Sequence, residues 1–143
     1  QRDFLVIART DARTTLGLDE ALRRAELYLR AGADVLFVES PESIDEMRAI
    51  GEPFRGVPLL ANMVEGGRTP LLSKAELEDI GYKIAIFPAL GFLAAGAALE
   101  NAFNELKARG SSKGVATPLY DFKKFSELMG FERIAEFERR YRG

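Results

Sequence analysis

Three polar residues, Arg9, Glu39 and Asn62, each follow a short apolar segment of the chain, which reads LVIA, VLFV or LLA. An arginine directly after an apolar run is costly to bury unless it is paired or faces a ligand. Its planar fork suits a carboxylate or a phosphate. A glutamate could pair with the arginine or orient a ligand hydroxyl, and an amide offers both a donor and an acceptor. The three residues together predict a site for a small acid.

Each of these residues also has a purely structural interpretation. Arg9 and Glu39 could form a buried structural ion pair. Asp11 could cap the loop or the next helix, and Asn62 could bond a turn. The pair Gly66–Gly67 could serve backbone geometry alone. The functional interpretation is supported because three separate apolar segments all place polar groups at the same end, their C-terminal end.

The apolar segments alternate with amphipathic ones along the chain. Helical spacing of Leu22, Ala25 and Leu29 predicts a helix over residues 18–32. Ser-x-x-Glu caps begin two shorter helices at Ser43 and Ser73. Strands are predicted over residues 4–8, 34–40, 58–63 and 83–89, and helices over 18–32, 43–50, 73–80 and 90–108. Apolar strands that alternate with helices indicate an α/β fold with a parallel sheet.

Four such units fit two architectures. One is a small open sheet, and the other is half of an eight-stranded barrel, which needs about 250 residues. No glycine-rich phosphate fingerprint follows the first strand, which disfavours a dinucleotide fold. The prediction is a barrel half over residues 1–110. An apolar helical extension over 111–143 is expected to pack on it or on a neighbouring subunit.

Composition excludes several classes of protein. The net charge is −2 and the sequence contains neither Cys nor His, so a basic nucleic-acid or membrane surface, a disulfide framework and a His-based site are not expected. No apolar run approaches the roughly 20 residues of a membrane span. A cytoplasmic location is the expectation. The chain starts without Met and enters a strand almost at once, so an upstream segment is expected to have been removed.

Four motifs carry a resemblance to a known family. IARTDA (7–12), GADVLFVES (32–40), LLANMVEGGRTPLLS (59–73) and LEDIGYKIAIFP (77–88) resemble the isocitrate lyase/phosphoenolpyruvate mutase superfamily. The closest resemblance is to its branch of methylisocitrate lyases, dimethylmalate lyases, oxaloacetate decarboxylases and phosphonomutases. This implies a parallel (β/α) barrel of the TIM type. It also implies a last helix exchanged between subunits, usually in a homo-tetramer. The implied chemistry is Mg2+- or Mn2+-dependent cleavage of a C–C bond in a small 2-hydroxy or 2-oxo acid through an enolate.

The resemblance also implies roles for residues of this chain. Arg9 would bind a substrate carboxylate and steady the enolate oxygen, as a catalytic residue. Glu39, also catalytic, would hydrogen-bond within the site and support the metal through water. Asn62 would bind substrate carboxylate, with Glu65 and Thr69 in the adjoining loop.

The sequence departs from the family in what it lacks. The metal-binding aspartates and the Lys–Cys–Gly–His-type loop of the family precede the motifs found here. The chain is therefore expected to be the second half of the barrel, four βα units plus C-terminal helices. Alone it is expected to be inactive, with the metal ligands and general acid/base in a missing N-terminal half.

A second departure concerns substrate size. Leu93 stands where methylisocitrate lyases have a carboxylate-binding arginine, and Phe122 stands near the place of a second one. A smaller acid than methylisocitrate is therefore expected. Two alternatives remain open: phosphonomutase chemistry on the same scaffold, and a non-catalytic, self-associating half-barrel that binds a small acid.

Overall fold

A computed structural model describes residues 4–141. Residues 1–3, at the start of the predicted barrel half, and 142–143, at the end of the predicted helical extension, lie outside the described residues. The chain divides into two compact units between Leu93 and Ala94. The predicted domain boundary between residues 110 and 111 stays a prediction.

The first unit is built from strand–helix repeats. Its elements are β1 (Ile7–Thr10), α1 (Ala12–Leu16), α2 (Leu18–Arg30), β2 (Val35–Val38), α3 (Ile44–Gly51), β3 (Leu59–Asn62), α4 (Lys74–Ile80) and β4 (Tyr82–Ile86). All neighbouring strands are parallel and lie in the order β1-β2-β3-β4. Consecutive strands that neighbour one another in one parallel sheet are the arrangement of a barrel, in which every strand C-terminus faces the same side.

The predicted position of the first strand is wrong by about three residues. Strand β1 pairs with β2 only from Ile7, opposite Val35, to Thr10, opposite Val38. Before that ladder, the backbone N–H of Val6 donates to the Asp34 side chain at 2.8 Å. Arg9 therefore lies within the strand instead of following it.

The two faces of the sheet carry different clusters. Leu36, Val38 and Leu59 belong to the main core with residues of the surrounding helices. On the opposite face, Val35, Phe37 and Leu60 form a second cluster with Ile84 packed against it. Side chains alternate between the faces of a strand, so Arg9, Glu39 and Asn62 continue the second face.

Local signals explain where the helices begin and end. The predicted capping box of α4 is complete: Glu76 N–H donates to Ser73 Oγ at 3.3 Å and Ser73 N–H to Glu76 Oε2 at 2.8 Å. In α3 the capping box is half formed. Ser43 accepts from the Glu46 N–H, but the Glu46 carboxylate accepts from Arg13 and from the Glu42 N–H and not from Ser43. Gly81, after α4, has the left-handed φ of 117° that glycine tolerates best. Helix α1 has no counterpart among the predicted elements.

Gly51 allows the ends of α3 and α4 to approach closely. A Cβ at this position would overlap the carbonyl oxygen of Ile80. Gly51→Ala should lower the free energy of unfolding by about 1–3 kcal/mol through overpacking, despite the better helix propensity of alanine. Urea denaturation of the protein measures this. Glu52→Ala, at the exposed neighbouring position, should change it by less than about 0.5 kcal/mol. Equal free energies of unfolding for the two variants would contradict the close approach of α3 and α4 at Gly51.

The second unit contains most of α5 (Leu90–Arg109), followed by α6 (Phe122–Leu128) and α7 (Phe131–Tyr141). Glu105 fixes the connection after α5 by accepting from the backbone N–H groups of Ala116 and Thr117 at 2.8–3.2 Å. No described residue of the three helices is buried. The packing of the extension over residues 111–143 on the barrel half or on a neighbouring subunit stays a prediction. Across residues 4–141, no helix combines the length and apolar character needed to cross a membrane.

Candidate functional site

Glu39 is the centre of a polar cluster at the carboxyl ends of the strands. Its Oε2 lies 3.1 Å from Nη2 of Arg9, and Asn62 Nδ2 lies 3.3 Å from the same oxygen. The Glu39 side chain is only 12% exposed. The carboxylate of Glu39, at the end of β2, thus joins Arg9 of β1 to Asn62 of β3. The structure brings together three of the residues singled out in the sequence.

Arg9 is held chiefly by Asp11. Its Nε donates to Asp11 Oδ2 at 3.0 Å and its Nη2 to Oδ1 at 2.8 Å. Its guanidinium carbon lies 4.9 Å from the centre of the Phe37 ring, a cation–π distance. The hydrogen bond from Arg9 lowers the pKa of the Asp11 carboxyl, and that bond together with the nearby Glu39 charge raises the pKa of Arg9.

These contacts correct two structural interpretations. Asp11 stands at the N-cap position of α1, yet its side chain makes no capping hydrogen bond and binds the fork of Arg9 instead. The Arg9 side chain is half exposed, so its pair with Glu39 is not a buried ion pair. The fork of Arg9 is within reach of a ligand that could replace Asp11.

Ser40 follows Glu39 in a strained backbone conformation. Its φ is 58°, the one positive value at a non-glycine residue between residues 4 and 141. A left-handed non-glycine residue costs roughly 1–2 kcal/mol, and such strain concentrates at functional sites. Its Oγ donates to Glu39 Oε1 at 3.1 Å. Sequence reasoning did not include Ser40 or Phe37 among the site residues, since neither residue type signals these contacts.

Two acceptors near the end of β3 are buried without a hydrogen-bond partner in the described part of the chain, namely Asn62 Oδ1 and Glu65 Oε2. A buried acceptor without a donor costs about 1–3 kcal/mol. Asn62 donates to Glu39 and makes no side-chain bond to a turn. The two oxygens therefore have unused capacity to accept hydrogen bonds.

A depression of about 260 Å3 opens beside the cluster, lined by Glu39, Ser40, Asn62, Val64, Gly67, Arg68 and Thr69. This volume is below the ~300–1,000 Å3 of sites for drug-sized ligands, so the depression suits a small molecule. The loop over residues 64–69 forms one wall. It turns at Gly66, where φ is 72°, and Gly67 N–H donates to the Val64 carbonyl at 2.9 Å.

In the described part of the chain, the cluster lacks the ligands of a complete metal site. Within residues 4–141, no three His, Cys, Asp or Glu side chains gather as possible ligands. The nearest carboxylates, Glu39 and Asp11, are both engaged by Arg9. Mg2+ requires near-octahedral oxygen coordination, usually with one or two protein carboxylates and several waters. The described residues do not fit a metal site by themselves.

Comparison with known proteins identifies related sequences over nearly the whole chain. The family model described as phosphoenolpyruvate phosphomutase matches residues 1–107. The chain is 50% identical to 2,3-dimethylmalate lyase from Eubacterium barkeri, covering 97% of this chain and 48% of that protein. It is 40% identical to 2-methylisocitrate lyase from Aeropyrum pernix, covering 98% and 46%. The chain thus spans about half the length of the curated relatives it matches.

Solved structures agree with this comparison. A 2,3-dimethylmalate lyase of the PEP mutase/isocitrate lyase superfamily superposes with a TM-score of 0.84 and 34% identity, covering 96% of this chain and 48% of that one. Oxaloacetate acetylhydrolase in complex with the inhibitor 3,3-difluorooxalacetate superposes with a TM-score of 0.88 and 32% identity, covering 99% and 47%. These matches and the parallel sheet confirm the predicted fold class, four βα units that make up half of a barrel.

Proposed function

Because this chain belongs to the phosphoenolpyruvate phosphomutase family, we propose that it supplies half of the active site of a carbon–carbon lyase. The substrate would be a small 2-hydroxy or 2-oxo dicarboxylic acid. The observation that carries the proposal is the Arg9–Glu39–Asn62 cluster at one end of the parallel strands. The identity of 50% to a 2,3-dimethylmalate lyase supports the reaction class.

Arg9 is the proposed electrostatic catalyst. When the C–C bond breaks, its electron pair moves onto the leaving fragment, and an enolate oxygen acquires the negative charge. A guanidinium aimed at that oxygen stabilises the charge as it develops. The substrate would displace Asp11 from the fork of Arg9, an exchange that the half-exposed position of both side chains permits.

The other residues would position the substrate. Glu39 holds Arg9 and the amide of Asn62 in fixed relation. The free Asn62 Oδ1 and Glu65 Oε2 could each accept from a hydroxyl or a protonated carboxyl group, and the Nδ2 of Asn62 could donate to a carboxylate. Thr69 lies in the wall of the depression and would contact the acid there.

We also propose that Mg2+ or Mn2+ binds mainly to residues outside this chain, in the other half of the barrel, with Glu39 supporting it through water. A metal bound there would act as a Lewis acid on the substrate oxygens. The general acid/base would come from the same half. The exposed apolar side chains of α5 to α7 support assembly into a homo-oligomer, with a tetramer as the proposed form. A cytoplasmic location stays a prediction.

Phosphonomutase chemistry is the alternative that one observation favours. The matching family model carries a phosphomutase description, and the fork of Arg9 would bind a phosphonate as readily as a carboxylate. In that reaction a P–C bond would break instead of a C–C bond.

A substrate panel on the complete enzyme with Mg2+ tests the proposal. Leu93 cannot donate a charge-assisted hydrogen bond, so a third carboxylate would lose a few kcal/mol of support. Oxaloacetate or a 2-alkylmalate should therefore be cleaved with a kcat/KM at least about tenfold above that of methylisocitrate. The variant Leu93→Arg should narrow this difference.

Three results would change the assignment. Preferred cleavage of methylisocitrate would contradict the size argument. Turnover of phosphonopyruvate alone would favour the mutase. Binding of dicarboxylates without any turnover would favour the non-catalytic half-barrel.

A further inference from the structure

A network of ion pairs lies beside the candidate site. Arg13 donates to both oxygens of Glu46, from Nε at 2.9 Å and from Nη2 at 2.7 Å, and its Nη1 lies 2.6 Å from Glu42 Oε1. The same Glu42 oxygen lies 3.5 Å from Arg68 Nη1, and Arg68 Nη2 donates to Thr14 Oγ1 at 3.0 Å. The four charged residues and Thr14 form one connected network.

The network joins the three connections that carry the site. Arg13 and Thr14 lie in α1, directly after the strand of Arg9. Glu42 and Glu46 lie before and within the first turn of α3, after Glu39 and Ser40. Arg68 lies in the loop between Asn62 and Thr69. Each segment that follows β1, β2 or β3 thus carries at least one residue of the network and adjoins or contains a residue of the site.

The two ends of the network differ in exposure. The Arg13 and Glu46 side chains are 17% and 24% exposed, and their bond has the paired geometry that makes arginine–carboxylate contacts strong. That bond also lowers the pKa of the Glu46 carboxyl. Arg68 and Glu42 are 53% and 39% exposed, where an ion pair is worth little by itself. The Arg13–Glu46 pair is therefore the stable part of the network, and the contact between Arg68 and Glu42 is its weaker part.

We propose that Arg68 is a positioning residue of the active site, which attaches the loop over residues 64–69 to α1 and to the start of α3. The loop contains Gly66 and Gly67, which restrict the backbone least, so without this attachment Thr69 would not be held in the wall of the depression. The consequence for catalysis rests on the proposed function, whereas the attachment itself does not. Arg68 lines the depression, but its two guanidinium contacts go to Glu42 and Thr14.

Hydrogen exchange of the loop in the complete protein tests the attachment without any assay of activity. Arg68→Met and Glu42→Gln should each speed amide exchange of the peptide over residues 64–69 by about two- to fivefold, since the loss of an exposed ion pair lowers the local opening free energy by a fraction of a kcal/mol. The control is Arg48→Met, which removes a similarly exposed arginine 3.5 Å from Asp45 on α3 and should leave the loop unchanged. Unchanged exchange in the Arg68 and Glu42 variants would overturn the proposal.

Kinetics of the same variants test the positioning role. Arg68→Met should raise KM for a dicarboxylate about tenfold and change kcat by less than about threefold, because the loop binds the acid and the charge-stabilising group is elsewhere. Arg68→Lys should have a smaller increase in KM than Arg68→Met, because the lysine keeps a positive charge near Glu42. Faster exchange with an unchanged KM would overturn the positioning role. Failure of the proposed function would instead show as an inactive wild type, with the exchange result unaffected.

Discussion

Replacing Arg9 by lysine is expected to lower kcat/KM of the complete enzyme by at least about 100-fold, or roughly 3 kcal/mol of transition-state stabilisation. This variant keeps the positive charge but loses the planar guanidinium group. Arg9 uses Nε and Nη2 together on one carboxylate and lies over the ring of Phe37. A lysine ammonium is a point charge without a planar fork, so it cannot reproduce the two-atom bond to a carboxylate and cannot stack its head group flat on the ring.

The chain provides a matched control for this substitution. Arg23 binds Glu20 through the same two atoms, at 2.7 and 2.9 Å, on the exposed surface of α2. Arg23→Lys should leave kcat/KM within about twofold of the wild type, because surface substitutions are usually near neutral. If Arg9→Lys turns over at a near-normal rate with its fold intact, the arginine is a structural ion-pair partner and its catalytic role is wrong.

Replacing Glu39 by glutamine should also lower kcat/KM, by about 30- to 100-fold, with little change in the thermal unfolding midpoint. Glutamine has nearly the same shape, but it has no charge to hold Arg9 at 3.1 Å. It also presents an amide group where the carboxylate accepts from Ser40 and Asn62. Charge-assisted hydrogen bonds are about twice as strong as neutral ones, so Arg9 and Asn62 should both be less well oriented.

A double-mutant cycle separates this effect from a general loss of packing. If Glu39 acts through Arg9, the double variant with Arg9→Lys should be little worse than Arg9→Lys alone, because interacting residues are not additive. Glu78→Gln, in the exposed pair with Lys74 on α4, is the control and should be neutral. Fully additive losses would contradict the shared role of Glu39 and Arg9.

The sequence by itself determined the order of the four strands and of the helices α2 to α5, and the serine caps of α3 and α4. These features depend on neighbours a few residues apart. Ser73 and Glu76 cap α4 as predicted, and the spacing of Leu22, Ala25 and Leu29 places them against the core. Parallel topology then requires that the ends of the strands share one side, which is why Arg9, Glu39 and Asn62 could be grouped without coordinates.

Only the tertiary structure decided which partners these side chains take. Ser43 keeps its cap, but the Glu46 carboxylate leaves the box for Arg13, 33 residues away along the chain. Asp11 binds Arg9 instead of capping α1, and Arg68 reaches Thr14 across 54 residues. A carboxylate chooses among competing donors by distance and desolvation. Both are fixed by strand register and by how the connections pack, which local sequence does not encode.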